Sequence, residues 1–333
     1  MKSNPDRSEP METRSIKGTN VCVVGGAGFL GSHLVRYLVK YGCDVLVIDN
    51  LVTGKKEFLP TTAKFEHYDI TGSETHLRKL FMVHQVQYVF NYAAEPYIPV
   101  SFERPIHVCN TNFFGALKVI NAAQEAGCEG ILQVSSAEIY GSNQSGRINE
   151  DGQVSPHSSY GASKAAIDSI VQVRWKEAKT PCIAMRQFNC IGERETHPYV
   201  VPEIISQIDR CKSPTCPVHL GNDSMRDFQY AGDAVKMAVD LLEHGQFGEV
   251  YNMGSEEAIG IYDLALMIGH CMDRQIEVIH DPTRDRPWEI WHLQSDNTKL
   301  YNAIQSRPNV SMESALAKTI RYYMDCGRKW PWE

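Results

Sequence analysis

The sequence lacks the features of several protein classes. Its ten cysteines include no Cys-X-X-Cys pair, so free thiols in a reducing compartment are expected, not a disulfide framework or a zinc site. No apolar run reaches the roughly 18 residues that a membrane helix needs. The net charge of −7 argues against general affinity for nucleic acid. These absences predict a cytoplasmic protein that binds neither nucleic acid nor membrane and uses no metal.

Strand-like and helix-like segments alternate through the first 190 residues. Near-continuous apolar segments such as 45–48 suit strands that are covered on both faces. This alternation predicts an α/β fold with a doubly wound parallel (Rossmann) sheet. The predicted strands are 20–24, 44–49, 64–68, 87–92, 130–135 and 181–188, and the predicted helices are 29–41, 74–84, 106–126 and 158–178.

After residue 190, prolines interrupt the segments more often. Helices over 231–244 and 261–271 and short strands over 217–220, 249–252 and 276–280 indicate a smaller mixed lobe beside the sheet. Ligands of doubly wound sheets bind at the carboxyl ends of the strands, so the cleft between the two parts is the expected site. We predict a disordered leader over 1–19, a Rossmann domain over 20–190 and a mainly ligand-binding C-terminal lobe over 191–333, from which segments can return to the sheet.

A glycine-rich segment follows the first predicted strand. Gly25, Gly28 and Gly31 recur at three-residue spacing where the first predicted strand leads into the first predicted helix. Such glycines permit a tight turn and let the backbone approach a pyrophosphate, while the helix N-terminus directs N–H groups at the phosphates. Asp49, eighteen residues after Gly31, ends the next strand and is placed to accept from both ribose hydroxyls. A carboxylate there would repel a 2′-phosphate, which favours NAD over NADP.

Tyr160 and Lys164 lie four residues apart within the predicted helix over 158–178. That spacing places both side chains on one helix face. A lysine ammonium near a phenol favours the phenolate, which can take a proton from a sugar or alcohol hydroxyl as the carbon gives up hydride. Together with the glycine turn upstream, the pair predicts a redox enzyme.

Several further motifs occur in a fixed order with these two. They are Asn-Tyr-Ala-Ala at 91–94, Ser-Ser-Ala-Glu-Ile-Tyr-Gly at 135–141, Arg-Gln-Phe-Asn at 186–189 and Met-Arg-Asp-Phe-Gln-Tyr at 225–230. Over about residues 20–305 the chain resembles the extended short-chain dehydrogenases/reductases, in the group of NAD-dependent nucleotide-sugar epimerases and dehydratases. The resemblance implies a bound NAD that is reduced and reoxidised in one cycle, a 4-keto-sugar intermediate and a homodimer built on a four-helix bundle. It also implies that the C-terminal lobe binds a nucleotide-diphosphate sugar.

The resemblance implies catalytic roles for a small group of residues. Tyr160 is the base for the sugar 4-hydroxyl, and Lys164 binds the nicotinamide ribose and lowers the pKa of Tyr160. Ser136 ends a predicted strand and hydrogen-bonds the 4-oxygen as it becomes a carbonyl. Each has a structural alternative: Tyr160 as a helix-face aromatic, Lys164 as a solvated charge and Ser136 as a helix cap. The residues predicted to bind the cofactor are Gly25, Gly28, Phe29, Leu30, Gly31, Asp49, Asn50, Asp69, Ile70, Ala93, Ala94, Tyr160 and Lys164.

Glu138 bears on which reaction of this family is expected. In the family's 4,6-dehydratases and decarboxylases a Glu in the matching stretch lies beside sugar C5 and C6, and in dehydratases it takes the C5 proton. Simple 4-epimerases need no base there. Ala137 departs from the pattern, because several dehydratases carry an Asp there that expels the C6 hydroxyl. We expect an NDP-hexose 4,6-dehydratase. The alternatives are a UDP-sugar 4-epimerase, a UDP-glucuronate decarboxylase and a non-catalytic NAD-binding protein, and Glu138 could instead be structural.

A nucleotide sugar carries two phosphate charges, so cationic and amide donors should converge on it. By resemblance, Asn189 offers its amide to the diphosphate, and Arg226 and Arg286 match two phosphate-binding arginines. Arg194 is a further candidate. Glu95 and Tyr97 lie in a dehydratase-like stretch and either line the sugar pocket or shape a loop. The sequence does not identify the nucleotide base.

Overall fold

A computed structural model describes residues 14–142, 146–326 and 330. Its strands, in chain order, are β1 (Asn20–Val24), β2 (Asp44–Asp49), β3 (Lys64–His67), β4 (Tyr88–Asn91), β5 (Gly130–Ser136), β6 (Arg147–Ile148), β7 (Cys182–Gln187), β8 (Asn189–Ile191), β9 (Thr215–Leu220), β10 (Met225–Tyr230), β11 (Val250–Met253), β12 (Ala258–Gly260), β13 (Gln275–His280) and β14 (His292–Ser295).

Its α-helices are α1 (Phe29–Tyr41), α2 (Glu74–Val83), α3 (Ile98–Glu103), α4 (Pro105–Cys109), α5 (Ala116–Glu125), α6 (Ser159–Ala178), α7 (Val200–Arg210), α8 (Ala231–His244), α9 (Ile261–Cys271), α10 (Thr298–Ala303) and α11 (Met312–Asp325). None of the helices in these described ranges combines the length and the apolar composition that crossing a bilayer requires.

The main sheet has seven strands in the order β3-β2-β1-β4-β5-β7-β11, and every neighbouring pair is parallel. The strand order reverses between β1 and β4, and such a switch point is where doubly wound sheets open a crevice for ligands. The predicted doubly wound α/β fold with a smaller mixed lobe is confirmed. β11 comes from the C-terminal part of the chain and forms the edge beside β7.

Both faces of the sheet are buried, which explains the apolar runs in the strands. Val21 and Val23 of β1 pack with α1 and α8 on one face. Cys22 and Val24 of the same strand pack with α2, α5 and α6 on the other face. All four side chains are fully buried. Alternation of polar and apolar residues is therefore absent from β1, as expected for a strand covered on both sides.

The segment just before β1 is part of this core, although the predicted leader extended to residue 19. Ile16 is fully buried among residues of β1 and α1. Its backbone N–H donates to Glu243 Oε1 of α8 at 2.9 Å. Ile16 therefore packs into the core beside the sheet, whereas Ser15, Lys17 and Gly18 are exposed, and residues 1–13 lie outside the described part of the chain.

The predicted helix over 106–126 is interrupted in the structure. α4 and α5 are joined by a π-helical segment, Asn110–Gly115. Within it, the buried Asn112 accepts from the backbone N–H of Glu95 at 2.7 Å and donates to the Glu95 carbonyl at 3.0 Å. A widened turn of this kind is a common accommodation at functional sites. Helical periodicity alone could not reveal it, because the partner backbone is remote in sequence.

The C-terminal lobe has a core of its own. Ile204 of α7, Leu264 of α9 and Leu316 of α11 meet there, and all three are fully buried. The sequence analysis did not predict α7 or α11. α7 contains Pro202, which was taken as an interruption but lies in the first turn of the helix, where a proline removes no intrahelical hydrogen bond.

Candidate active site

A cavity of about 750 Å³ opens at the carboxyl ends of the main strands, between the sheet and the C-terminal lobe. Most of the residues predicted from the sequence to form the site line this cavity. They are Gly25, Gly28, Phe29, Leu30, Gly31, Asp49, Asn50, Ile70, Ala93, Ala94, Ser136, Glu138, Tyr160, Lys164, Asn189, Arg226 and Arg286.

The glycine turn between β1 and α1 is crowded at two positions and open at the third. A Cβ on Gly25 would lie 2.6 Å from the backbone N of Ala93, and Gly25 also has a positive φ of 76°. A Cβ on Gly31 would collide with the Gly25 carbonyl. A Cβ on Gly28 would meet only that carbonyl, at 3.4 Å. Packing within the protein therefore does not require glycine at 28, whereas close approach of a pyrophosphate in the cavity would.

The contrast between Gly28 and Gly31 gives a testable prediction. Gly31→Ala forces a methyl group into backbone and should lower the melting temperature. Gly28 has φ −79°, which alanine adopts freely, so Gly28→Ala should keep the wild-type melting temperature. A methyl group in the pyrophosphate path should nevertheless cost about 1–3 kcal/mol, or about 5- to 150-fold in the Kd of NAD measured by calorimetry. Unchanged NAD affinity in a folded Gly28→Ala variant would show that this turn does not hold the pyrophosphate.

Asp49 ends β2 with its carboxylate fixed by the backbone. Oδ2 accepts from the N–H of Ala27 at 2.9 Å, and Oδ1 accepts from the N–H of Leu51 at 2.8 Å. Burial raises the pKa of Asp49, and these two N–H groups oppose that rise. Each carboxylate oxygen can accept a second hydrogen bond, so the geometry leaves capacity for two ribose hydroxyls. Together with the glycine turn, this arrangement fits a dinucleotide.

Asp69, Glu95 and Arg194 do not line the cavity. Asp69 accepts from the side chain of Asn50 at 2.9 Å. Glu95 lies 3.7 Å from Nε2 of His107. Arg194 turns toward α1, where its Nε donates to Ser32 Oγ at 3.0 Å. Asp69 and Glu95 can still act through neighbours in the cavity wall, whereas the position of Arg194 gives no support to a direct phosphate contact.

Ser136, Glu138 and Tyr160 come together on the wall formed by β5 and α6. Ser136 is the last residue of β5, and its Oγ accepts from the backbone N–H of Glu138 at 3.2 Å. The same hydroxyl hydrogen-bonds the phenol of Tyr160. Ser136 thus caps the short 3₁₀ turn over 137–139 and also faces the phenol, so the two roles considered for it are compatible.

The pKa of Tyr160 differs from the sequence-based expectation. Burial raises it to about 12, the hydrogen bond with Ser136 opposes the rise, and the Glu138 charge adds to it. Lys164 does not offset the burial. Its Nζ lies 5.8 Å from the ring centroid of Tyr160 and donates to the Val134 carbonyl at 3.0 Å. The prediction that Lys164 lowers this pKa overlooked the loss of hydration that both buried groups suffer.

Glu138 belongs to a cluster of two carboxylates and two guanidinium groups. Glu138 Oε1 lies 3.8 Å from Nη1 of Arg286, whose side chain is 41% exposed. Arg226 is buried and pairs with Glu289 Oε1 at 2.7 Å. Burial lowers the pKa of Arg226, and Glu138 and Arg286 both act on it, in opposite directions. A diphosphate would therefore compete with protein carboxylates for these arginines.

Sequence reasoning missed two residues of the cavity wall, Glu195 and Tyr199. It gave Tyr97 either a pocket-lining or a loop-shaping role, and Tyr97 lines the cavity. Tyr97 stacks on His197 with ring centroids 5.4 Å apart and meets Tyr199 edge-on at 6.1 Å. Glu195 is 1% exposed, and burial raises its pKa well above the usual value of 4.5. Glu195 and Tyr199 carried no motif signal, because the loop over 192–199 packs on the segment around residue 97 only after folding. Across the described residues, no group of three or more His, Cys, Asp or Glu side chains is arranged to hold a metal ion.

Comparison with known proteins identifies the family. The family model described as GDP-mannose 4,6 dehydratase matches residues 22–319. The chain belongs to this family. The match confirms the nucleotide-sugar epimerase/dehydratase family predicted from the motifs, and it confirms that the chain is an enzyme of that family.

Individual relatives in this family carry out different reactions. A dTDP-D-glucose 4,6-dehydratase of Mus musculus is 28% identical, over 93% of this chain and 90% of its own length. The structure of a UDP-glucose 4-epimerase from Thermotoga maritima, solved with UDP-glucose, gives a TM-score of 0.86 at 28% identity, covering 92% of this chain and 99% of that one. A dTDP-glucose 4,6-dehydratase from Streptomyces venezuelae, solved with NAD, gives 0.84 at 26% identity, covering 94% and 99%.

Proposed function

We propose that this family member is an NAD-dependent NDP-hexose 4,6-dehydratase, which converts a nucleotide-linked hexose to its 4-keto-6-deoxy form with loss of water. The observation that carries the proposal is the carboxylate of Glu138 on the same cavity wall as Ser136 and Tyr160. Oxidation at C4 needs only a base and a hydride acceptor. A second base beside them serves chemistry at the neighbouring carbons, as in dehydration.

The cofactor is NAD, as in solved relatives of 25% identity or more. Gly25, Gly28 and Gly31 would hold its pyrophosphate, Asp49 its adenosine ribose and Lys164 its nicotinamide ribose. Bound NAD supplies the acceptor for the hydride at C4 and the donor of the same hydride at C6. Each of these residues lines the cavity, and the carboxylate of Asp49 favours NAD over a cofactor that carries a 2′-phosphate.

Tyr160 takes the proton of the 4-hydroxyl as C4 becomes a carbonyl. The hydroxyl of Ser136, already hydrogen-bonded to that phenol, is suited to hold the 4-oxygen. The new carbonyl acidifies the proton on C5. Since burial raises the pKa of Tyr160 to about 12, the phenol readily keeps a proton once it has taken one.

Glu138 takes the C5 proton and passes it to the C6 hydroxyl, which leaves as water. One residue carries both transfers because Ala137 has no acidic group. C5 then recovers a proton from solvent while hydride arrives at C6, so the overall change is the loss of one water. Asn189, Arg226 and Arg286 are proposed to bind the diphosphate, supported by their position in the cavity wall.

Product analysis tests this proposal. Purified protein is incubated with UDP-, dTDP-, GDP- and CDP-hexoses, and the nucleotide-linked products are weighed by mass spectrometry. The proposal predicts, for one of them, a product lighter than the substrate by one water. A product of unchanged mass and inverted C4 would indicate a 4-epimerase, and loss of carbon dioxide from a UDP-hexuronate would indicate a decarboxylase. Bound NAD with no turnover of any of these sugars would indicate a non-catalytic protein.

We also propose that the protein is a cytoplasmic homodimer. Apolar side chains stand exposed along the segment that contains α3, α4 and the π-helical turn, with Ile106 76% and Phe114 53% exposed, and Val173 of the neighbouring α6 is 41% exposed. Exposed apolar patches of this kind are typical of interfaces. All ten cysteines lie in the described ranges and are free thiols, which suits a reducing compartment.

A further inference from the structure

Lys164 lies at a buried position, where loss of hydration disfavours the protonated form of its amine. Only 2% of the residue is exposed, and its Nζ donates to a backbone carbonyl, that of Val134, at 3.0 Å. Loss of hydration lowers the pKa of Lys164 from 10.5 to about 8, a net value that already includes an opposing negative charge. A lysine that is to bind ribose hydroxyls as a cation must stay protonated at neutral pH, so the group that limits this fall matters to the site.

Asp168 lies one helical turn beyond Lys164 on α6 and is 3% exposed. Its Oδ2 accepts from Nε of Arg186 at 2.8 Å. Arg186 stands on β7 beside Ser135 of β5 in the sheet register. Its Nη1 also donates to Tyr140 Oη at 2.7 Å and to the Glu150 carbonyl at 2.9 Å, so the guanidinium is fixed by three hydrogen-bond partners.

The charged and titratable groups around Lys164 come from three elements. α6 contributes Tyr160 and Asp168, β7 contributes Arg186, and the turn after β5 contributes Glu138 and Tyr140. Of these, Asp168 is the group that raises the pKa of Lys164 against burial. Burial raises the pKa of Asp168 itself, and the charges of Arg186 and Lys164 oppose that rise. The anion and its two cationic neighbours therefore stabilise one another's charged forms.

We propose that Asp168, held ionised by Arg186, is a positioning residue that keeps Lys164 protonated in the active site at neutral pH. Asp168 does not line the cavity, so its influence on the reaction passes through Lys164. This inference rests on the proposed function only in its claim that catalysis uses the positive charge of Lys164. The charge itself is measurable in the protein without turnover.

The direct test is the pH dependence of Lys164 acetylation. Acetic anhydride at trace concentration reacts only with the neutral amine, and mass spectrometry quantifies the peptide that contains Lys164. The wild type should show a midpoint near pH 8, the pKa that burial and the opposing Asp168 charge give together. Asp168→Asn should move the midpoint at least one pH unit lower, so that the neutral fraction of Lys164 at pH 7 rises at least about fivefold, from about a tenth to about a half. An unchanged midpoint in folded Asp168→Asn would overturn the proposal.

Two further variants separate this effect from damage to the fold. Asp168→Asn leaves Arg186 as a buried, uncompensated charge, which can destabilise the protein and also repel Lys164. The double variant Asp168→Asn/Arg186→Gln removes both charges, so it should fold better and still show a lowered midpoint. Return of its midpoint to the wild-type value would mean that repulsion from Arg186, not loss of the Asp168 charge, caused the shift. Asp168→Glu keeps the carboxylate and should keep the wild-type midpoint.

Once a turned-over substrate is in hand, the alkaline limb of the kcat/KM profile should move with the acetylation midpoint. A purely structural role for Asp168 would lower kcat/KM at all pH values without moving that limb. If no nucleotide sugar is turned over, the acetylation result still stands, so failure of the proposed function and failure of this proposal are distinguishable.

Discussion

Replacing Glu138 with Gln is expected to stop the loss of water from the sugar, slowing product formation about 10²- to 10⁴-fold, the usual contribution of a positioned acid or base. The amide keeps the size of the side chain but cannot take the C5 proton. Oxidation at C4 should survive, because Ser136, Tyr160 and Lys164 are untouched. The variant should therefore accumulate bound 4-keto sugar and reduced cofactor. The reduced cofactor is measured by nicotinamide absorbance when enzyme is mixed with one equivalent of substrate.

The controls for Glu138→Gln follow from the same geometry. Glu138→Asp keeps a carboxylate on a shorter stem and should retain more activity than the amide. Glu138 also lies 3.8 Å from Arg286, so a change in KM is expected for both variants and does not bear on the base. Full dehydration by Glu138→Gln would contradict the assignment, and absence of any reduced cofactor would show that the change had damaged the C4 site as well.

Tyr160→Phe is expected to cost a similar factor, about 10² to 10⁴ in kcat, but at the earlier step. Tyr160 is 9% exposed, and the phenyl ring can occupy the same space. The change removes the one group positioned to take the 4-hydroxyl proton, so neither reduced cofactor nor keto sugar should form. Substrate binding, measured by calorimetry with NAD present, should stay close to the wild-type value.

Ser136→Ala is the matched control for Tyr160→Phe. It removes the hydrogen-bond partner of the phenol and leaves the base in place, so a smaller loss is expected. Reduced cofactor formed at the wild-type rate by Tyr160→Phe would assign the proton transfer at C4 to another group. Tyr199 would then be the candidate proton acceptor, because it also lines the cavity.

Much of this site can be predicted from local sequence patterns, because several of its residues lie where strands end. Gly25 follows β1, Asp49 ends β2 and Ser136 ends β5, so recognising each strand was enough to place each residue at one edge of the sheet. Tyr160 and Lys164 needed only a helix, since a four-residue spacing fixes their common face. Together with residues assigned by resemblance, such as Asn189, Arg226 and Arg286, seventeen of the predicted residues line one cavity.

The remainder depends on contacts between segments that lie far apart in the chain. The sequence shows that Arg226 is present but not that Glu289 pairs with it at 2.7 Å. Arg194 follows β8 as a phosphate ligand would, yet its side chain points to Ser32 of α1. The pKa of Tyr160 depends on how deeply α6 buries the phenol. No local pattern encodes that depth.

The lobe was harder to predict than the sheet for a related reason. Its strands are short, and β6 and β14 pair with each other across nearly 150 residues. Hydrophobic periodicity over two to four residues carries little signal. α7 was missed because Pro202 was counted against it, although the first turn of a helix tolerates proline.

The fate of a deuterium atom on sugar C4 tests the central claim most directly. A C4-deuterated nucleotide hexose that is a substrate is converted to product, and NMR locates the label. Dehydration through Glu138 predicts deuterium on C6 of a 4-keto-6-deoxy sugar, because the hydrogen removed at C4 is the one delivered to C6. Deuterium that is still on C4, in a sugar of inverted configuration that has lost no water, would contradict the account.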